Sequence, residues 1–244
     1  MRNFSTASLP IGSCSHPIST WTPSFGRAAT AGLRSSTSSR GVQGGSSPLA
    51  LFAAAAQLFA ELVRTIPDDR WTGPGLGEWD LRALVGHTSR SLTTVETYLG
   101  QPAETEDVRT PEGYYLAIAN VDRAAVAERG RAAGAALGED PVGFVDALVA
   151  RVPPAADRPD NPLITTAAGG MRLANYLPTR TFELVVHSLD IAAAVGRPAP
   201  EFGEQVLTEV IVLAAGAAVL QGRGPELLLA LTGRSPLPSD FSVV

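Results

Sequence analysis

The stretch RTFELVVHSLD, from Arg180 to Asp190, decides the fold. Its apolar side chains surround the whole axis of a predicted helix, and a helix that is apolar on nearly all sides is typical of a buried position. Glu183 and His187 are four residues apart, so they share one face of this helix with Asp190. Because an unpaired buried carboxylate is costly, Glu183 needs a partner or a metal ion.

Helical patterns continue on both sides of this stretch, with almost no signal for strands. Ser47 is predicted to cap a first helix, and Asp80 caps a second helix that Gly100 ends. The helix that carries Glu183 is predicted to be capped by Asn175 and to end at Gly196. Further helices are predicted over roughly 111–134, 140–151, 201–220 and 225–234.

The composition favours an all-α protein. Hydrophobic residues make up 45% of the chain and aromatic residues only 6%, and alanine is abundant. Four long helices predict a four-helix bundle with extra C-terminal helices, spanning residues 48–244. Residues 1–47 hold 17 Ser or Thr and no sustained periodicity, which predicts a disordered N-terminal extension or a mis-assigned start rather than a targeting segment.

Charge and cysteine content exclude several classes of protein. The net charge is −5, and residues 1–47 carry four of the 19 basic residues and no acid. The remainder therefore holds 15 basic against 24 acidic residues, a poor match for nucleic acid. Cys14, the single cysteine, excludes an intramolecular disulfide, and the apolar run at 210–220 is too short to span a bilayer. We expect a cytoplasmic monomer or homodimer without membrane or nucleic-acid partners.

A second helix adds to the ionisable residues of the first. The chain has three histidines, of which His16 falls in the predicted extension, whereas His87 follows an apolar run in the second helix. His87, Glu183 and His187 would form a three-ligand site for zinc, nickel, cobalt or iron, with one position open for water or substrate. The alternatives are a core histidine and local pairs of Glu183 with Arg180 and His187.

Two segments carry a family resemblance. GLGEWDLRALVGHTSR (75–90) and RTFELVVHSLDIAAAVGRP (180–198) resemble the mycothiol-dependent maleylpyruvate isomerase N-terminal domain family, in the DinB-like group of four-helix bundles. The order and spacing of the motifs agree with this family over roughly residues 49–234. The resemblance implies a DinB-like four-helix bundle with His87, Glu183 and His187 as metal ligands, zinc as the metal and mycothiol as thiol cosubstrate.

The resemblance also implies a chemistry. A bound metal lowers the pKa of a thiol, and the thiolate is the reactive nucleophile. It would add to a cis double bond and leave again after rotation, or be transferred to a small electrophile. Only a short segment follows Arg197, whereas isomerases of this type carry a separate C-terminal domain. A metal-dependent hydrolase and a non-catalytic thiol- or small-molecule-binding protein therefore remain alternatives.

Four further residues have weaker roles. Asp190 is predicted either to orient a ligand as an outer-shell partner or to form a salt bridge at the end of the bundle. Arg90 lies one turn beyond His87, where it would meet an anionic substrate or thiol, or would be solvated. Trp79 is predicted to pack at the start of the second helix or to line a substrate site. Arg180 would compete with a metal if it pairs with Glu183.

Overall fold

The computed structural model describes residues 46–119 and 122–243, apart from the side chain of Arg123. The predicted extension over 1–47 lies outside the described residues, except for Ser46 and Ser47. A single 3-10 turn (Asp68–Arg70) and two strands, β1 (Leu163–Thr166) and β2 (Gly169–Arg172), accompany the helices. The helices are α1 (Pro48–Val63), α2 (Leu81–Leu99), α3 (Pro111–Ile118), α4 (Arg123–Ala136), α5 (Pro141–Ala155), α6 (Leu173–Val195), α7 (Glu204–Leu220) and α8 (Gly224–Leu231).

A ring of four helices forms the bundle. Helix α1 packs against α5 and α6, and α2 packs against the same two helices from the other side. Helix α4 covers α2, while α3 and α7 cover α6, and α8 lies against α7. The expected all-α bundle with additional C-terminal helices is confirmed, and α2 and α6 are direct neighbours inside it.

Large side chains from all four helices of the ring fill its centre. Each is shielded from solvent, and burial of one such side chain stabilises the fold by about 1.5–3 kcal/mol. They are Phe52 and Phe59 of α1, Leu84 and Leu92 of α2, Leu148 of α5, and Leu184 and Ile191 of α6. The apolar stretch within 180–190 therefore lies in the core, as its pattern predicts.

Two glycines bring the backbones of α2 and α4 into contact. A Cβ atom at Gly86 would lie 2.3 Å from the backbone nitrogen of Gly134. A Cβ atom at Gly134 would lie 2.8 Å from the Cα of Ala83. Any larger residue would push the helices apart, so this contact determines where α2 lies relative to α4.

The third predicted helix is interrupted. Helix α3 ends at Ile118, and α4 begins at Arg123, so a single helix over 111–134 is wrong. The cause is a second cap, because the Asp122 carboxylate accepts the backbone N–H of Ala124 at 3.0 Å. Aspartate is a strong helix-capping residue, and it starts a new helix here.

The predicted cap of the Glu183 helix is also wrong. Helix α6 begins at Leu173, two residues before Asn175. The Asn175 amide instead donates to the carbonyl of Arg109 at 2.8 Å, while the side-chain oxygen of Asn161 accepts the N–H of Ala174 at 2.8 Å. The predicted end is confirmed, since Gly196 stops α6 in the left-handed conformation with φ 67°.

A short hairpin leads into α6. Strands β1 and β2 pair antiparallel, with Leu163 opposite Arg172 and Thr166 opposite Gly169. The preceding loop crosses this hairpin, where the N–H of Asp107 donates to the carbonyl of Gly170 at 2.8 Å. Strands of four residues are too short for an alternating pattern, which is why the sequence shows no strand signal.

In the part of the chain that the structure describes, no helix has both the length and the apolar character that crossing a bilayer requires.

Candidate metal centre

The three side chains predicted as metal ligands lie together between two neighbouring helices. His87 projects from α2, and Glu183 and His187 project from α6. One nitrogen or oxygen atom of each residue lies within 4.8 Å of the corresponding atoms of the other two. The two imidazole rings meet edge to face, with their centroids 5.0 Å apart. The structure thus brings the three residues into one cluster, and their role as metal ligands stays a prediction.

His187 is held by a carboxylate on each of its ring nitrogens. Its Nδ1 lies 3.0 Å from Oδ2 of Asp190, and its Nε2 lies 3.2 Å from Oε2 of Glu183. Burial lowers the pKa of His187, but the hydrogen bonds to Asp190 and Glu183 outweigh burial and raise this pKa to about 9. At neutral pH the metal-free protein therefore carries a proton on both nitrogens of this ring.

Glu183 is a buried carboxylate with a different partner on each oxygen. Oε2 faces His187, whereas Oε1 is within 3.0 Å of the hydroxyl of Tyr115 on α3. Burial raises the pKa of Glu183, but the hydrogen bond to His187 and the charge of Arg180 bring this pKa down to about 2. Glu183 is therefore ionised at neutral pH.

Arg180 approaches Glu183 without occupying the oxygen that faces His187. Its Nη2 lies 4.0 Å from Oε1, and its Nε donates to the hydroxyl of Thr179 at 3.0 Å. The guanidinium carbon lies 4.9 Å from the ring centroid of Tyr176 and 5.3 Å from that of Tyr114. These aromatic faces stabilise the buried cation. The pairing of Arg180 with Glu183 therefore involves Oε1 and not Oε2, which faces His187.

His87 is the least satisfied residue of the cluster. Its Nδ1 is buried and has no hydrogen-bond partner among the residues that the structure describes. Burial, followed by the nearby His187, lowers the pKa of His87 to about 4. The ring is therefore neutral at physiological pH and has an unshared electron pair.

Trp79 covers His87 from the start of α2. The two rings have centroids 4.5 Å apart, and the indole nitrogen donates to the carbonyl of Ala127 on α4 at 2.9 Å. A Cβ atom at Gly130 would lie 2.4 Å from the Trp79 ring, so this glycine makes room for the indole. Trp79 therefore connects α4 to the cluster. The predicted packing at the start of α2 thus includes direct contact with the His87 ring.

Arg90 is partly buried one turn beyond His87. Within residues 46–119 and 122–243, its guanidinium makes no ion pair or hydrogen bond. Asp190, by contrast, contacts His187 directly. Of the two secondary candidates, Asp190 has a defined partner, and Arg90 has a free charge beside the cluster.

The sequence did not predict the tyrosines that surround Arg180 and Glu183. All four tyrosines of the chain belong to one connected group beside the cluster. Tyr98 and Tyr114 each pack on Tyr176, and Tyr114 also packs on Tyr115. The sequence shows only that Tyr114 and Tyr115 are adjacent in a chain with four tyrosines. This adjacency does not indicate which helix the two side chains face.

The donor atoms fit a divalent metal ion. Two imidazoles and one carboxylate are the nitrogen and oxygen ligands that zinc and related metals accept. Among the described residues, the buried Nδ1 of His87 has no hydrogen-bond partner, as is also the case for Oγ of Ser188 and Oε2 of Glu209, although buried polar atoms are normally hydrogen-bonded. The His87 ring therefore still has the capacity to bind a further group.

Comparison with known proteins adds one finding. Residues 52–192 match the family model described as mycothiol maleylpyruvate isomerase N-terminal domain. This range is more than half of the chain, and it includes His87, Glu183 and His187. Searches of curated proteins and of solved structures gave no significant match.

Proposed function

Because the chain belongs to the mycothiol maleylpyruvate isomerase N-terminal domain family, we propose that it is a metal-dependent enzyme that uses a low-molecular-weight thiol, with mycothiol as cosubstrate. The observation that carries the proposal is the cluster of His87, Glu183 and His187, whose ligand atoms lie within 4.8 Å of one another. The electrophile is a small molecule, and the reaction is isomerisation or transfer of the thiol sulfur.

The three cluster residues would hold the metal, with zinc as the preferred ion. Three protein ligands leave a coordination position open, which is the pattern of catalytic rather than structural zinc sites. A metal ion there would lower the pKa of an incoming thiol and so supply a thiolate at neutral pH. We place this thiol on a separate small molecule, mycothiol, because the description of the family that the chain matches names that thiol.

Neighbouring residues orient the ligands. The Asp190 carboxylate at 3.0 Å accepts the Nδ1 proton of His187, which leaves Nε2 as the atom that faces the cluster. The Tyr115 hydroxyl lies 3.0 Å from both Oε1 of Glu183 and the carbonyl oxygen of Thr179, which share its one proton, and Oε2 of Glu183 faces the same point as Nε2 of His187. Both partners hold their ligands by hydrogen bonds typical of residues that surround a metal site.

The surroundings of the cluster suit a nucleophilic thiolate. Trp79 covers His87 and limits access of water on that side. The guanidinium of Arg90 has no ion-pair partner among the described residues, and its positive charge, which acts on His87, would attract a negative charge on the electrophile or the thiol. In the isomerisation, the thiolate would form a C–S bond with an alkene carbon while the π electron pair moves onto the conjugated carbonyl oxygen as an enolate. The C–C bond, now single, would rotate, and return of the electron pair would cleave the C–S bond and release the thiolate. In S-transfer, the enolate would instead take up a proton, and the C–S bond would persist.

The test is a turnover assay with metal and thiol varied separately. Zinc-loaded protein is expected to hold about one metal ion per chain, and to convert a cis-alkene such as maleylpyruvate only when mycothiol is present. Metal-stripped protein is expected to be inactive with the same thiol. Turnover that persists without thiol would indicate a hydrolase, and thiol binding without turnover of any electrophile would indicate a binding protein.

Metal binding is expected to depend on pH through His187. His187 has a pKa of about 9 in the metal-free protein and must lose its proton to bind, whereas His87 and Glu183, with pKa values of about 4 and 2, are already deprotonated. Zinc binding near pH 7 should therefore release about one proton, and the affinity should fall about tenfold per pH unit below pH 8.

Calorimetry in two buffers of different ionisation enthalpy measures this proton release. The variant Asp190→Asn removes a carboxylate that raises the pKa of His187, so it should release a smaller fraction of a proton at the same pH. A zinc affinity that does not change between about pH 6 and 8 would contradict His187 as a ligand.

A further inference from the structure

The outer surface of α7 and α8 exposes large apolar side chains. Six of them are more than half exposed, and we call them the α7–α8 face: Ile211, Val212, Val219, Leu220, Leu228 and Leu231. Their exposed area is on the order of 700 Å², more than the few hundred Å² of a usual apolar patch on a monomer. It is close to the roughly 800 Å² that each partner buries in a standard protein interface.

The six side chains of the α7–α8 face carry no charge, and Arg223 and Glu226 at the start of α8 pair with each other at 3.3 Å. From Val210 to Leu220 the chain reads VIVLAAGAAVL, and from Leu227 to Leu231 it reads LLLAL. Neither segment contains a side chain that ionises or forms a hydrogen bond. A charged or strongly polar partner would leave its own groups unpaired against this face, which is unfavourable.

The turn between α7 and α8 is fixed by the end of the chain. Arg223 donates to the carbonyl of Ser242 at 3.1 Å, and its guanidinium carbon lies 4.1 Å from the ring centroid of Phe241. The amide of Gln221 donates to the carbonyl of Val243 at 2.9 Å. The two helices therefore present their apolar side chains from a preorganised scaffold, which reduces the entropy lost on association.

Helix α8 gains little from the fold of one chain. None of its residues is buried, and its main packing partner in the described chain is α7. An isolated helix of eight residues is unstable in water, because most helical stability in proteins comes from packing of an apolar face. Covering the α7–α8 face would supply that packing.

We propose that the α7–α8 face is the interface of a homodimer, in which α7 and α8 of one copy pack on the same helices of a second copy. An uncharged face of this area matches its own copy in polarity and size, and a two-fold arrangement buries both copies of the face at once. A membrane surface is a poorer occupant, since the chain has a net charge of −5 and most biological membranes are anionic.

Sedimentation of the full chain tests the proposal. We expect a species of twice the chain mass of 25.4 kDa at micromolar concentration. Ile211→Glu and Leu228→Glu should each weaken the dimer at least about 100-fold, because each buries an unpaired carboxylate. Leu76→Glu is the matched control at an exposed leucine in the loop before α2, and it should leave the dimer unchanged.

Salt separates an apolar interface from a charged one. Two acidic copies repel each other, so the dimer should persist or strengthen when the salt concentration rises from about 0.05 to 0.5 M. A full chain that is monomeric up to about 0.1 mM, a dimer that survives both substitutions, or equal dissociation by Leu76→Glu would overturn the proposal. Unchanged helical circular dichroism shows that each variant is folded.

Discussion

Replacing His187 with alanine is expected to lower the zinc affinity of the protein by more than about 100-fold. This loss exceeds the roughly 10–100-fold that is typical when a residue hydrogen-bonded to a metal ligand is removed. The substitution removes one of three ligand atoms and leaves Glu183 without the hydrogen bond that the imidazole makes at 3.2 Å. Two remaining ligands on different helices hold a metal weakly, because each must be fixed without the help of the third.

Two further variants make this result specific. His16→Ala removes the chain's remaining histidine outside the cluster, and it should leave zinc affinity unchanged. Asp190→Asn keeps all three ligands and changes only the partner of Nδ1, so its affinity should fall by about 10–100-fold.

Competition with a chromophoric chelator measures these zinc affinities. The chelator should have a zinc affinity close to that of the wild-type protein. If His187→Ala bound zinc as tightly as the wild type, then Glu183 and His187 would be a structural ion pair. The bundle would then have no metal role at this position.

Gly86→Ala is expected to lower the free energy of unfolding by about 3 kcal/mol, near the upper end of the cost of overpacking a core. In a helix interior this substitution ordinarily stabilises by about 0.5–1 kcal/mol, because alanine has less backbone entropy to lose. Here the new methyl group would lie 2.3 Å from the backbone nitrogen of Gly134, which cannot move without displacing α4. Because of this clash, the substitution is expected to destabilise the protein rather than stabilise it.

The matched control is Gly100→Ala at the end of the same helix. Its Cβ atom would meet only the carbonyl oxygen of Thr97 at 3.5 Å, and its φ of −87° suits any residue. We expect a change within about 0.5 kcal/mol. Urea unfolding followed by circular dichroism compares the two variants. Equal stability of both would mean that α2 and α4 are not in backbone contact.

The helix boundaries that could be predicted depend on single residues and their immediate neighbours. Ser47, Asp80 and Gly196 each satisfy or end the backbone hydrogen bonds of one helix, and their effect does not depend on the rest of the fold. The errors arose where two local signals competed. Asp122 restarts a helix inside a continuous helical pattern, and Asn161 caps α6 from a position that is distant in sequence.

The pairing of Glu183 with His187 was determined by the sequence alone, because residues four apart on a helix are always neighbours. His87 lies close to that pair because α2 packs on α6. Spacing within one helix does not predict this packing, whereas the family resemblance implied that the three residues lie together. A family match over residues 52–192 then established the family itself.

Only the tertiary structure placed Tyr115 on Glu183, Arg180 between two tyrosine rings, and Trp79 on His87. It also left the α7–α8 face uncovered. Helical periodicity indicates which side chains share a face of one helix. Which helix that face meets depends on close packing between distant segments, such as the contact of Gly86 with Gly134, and no local pattern records such a contact.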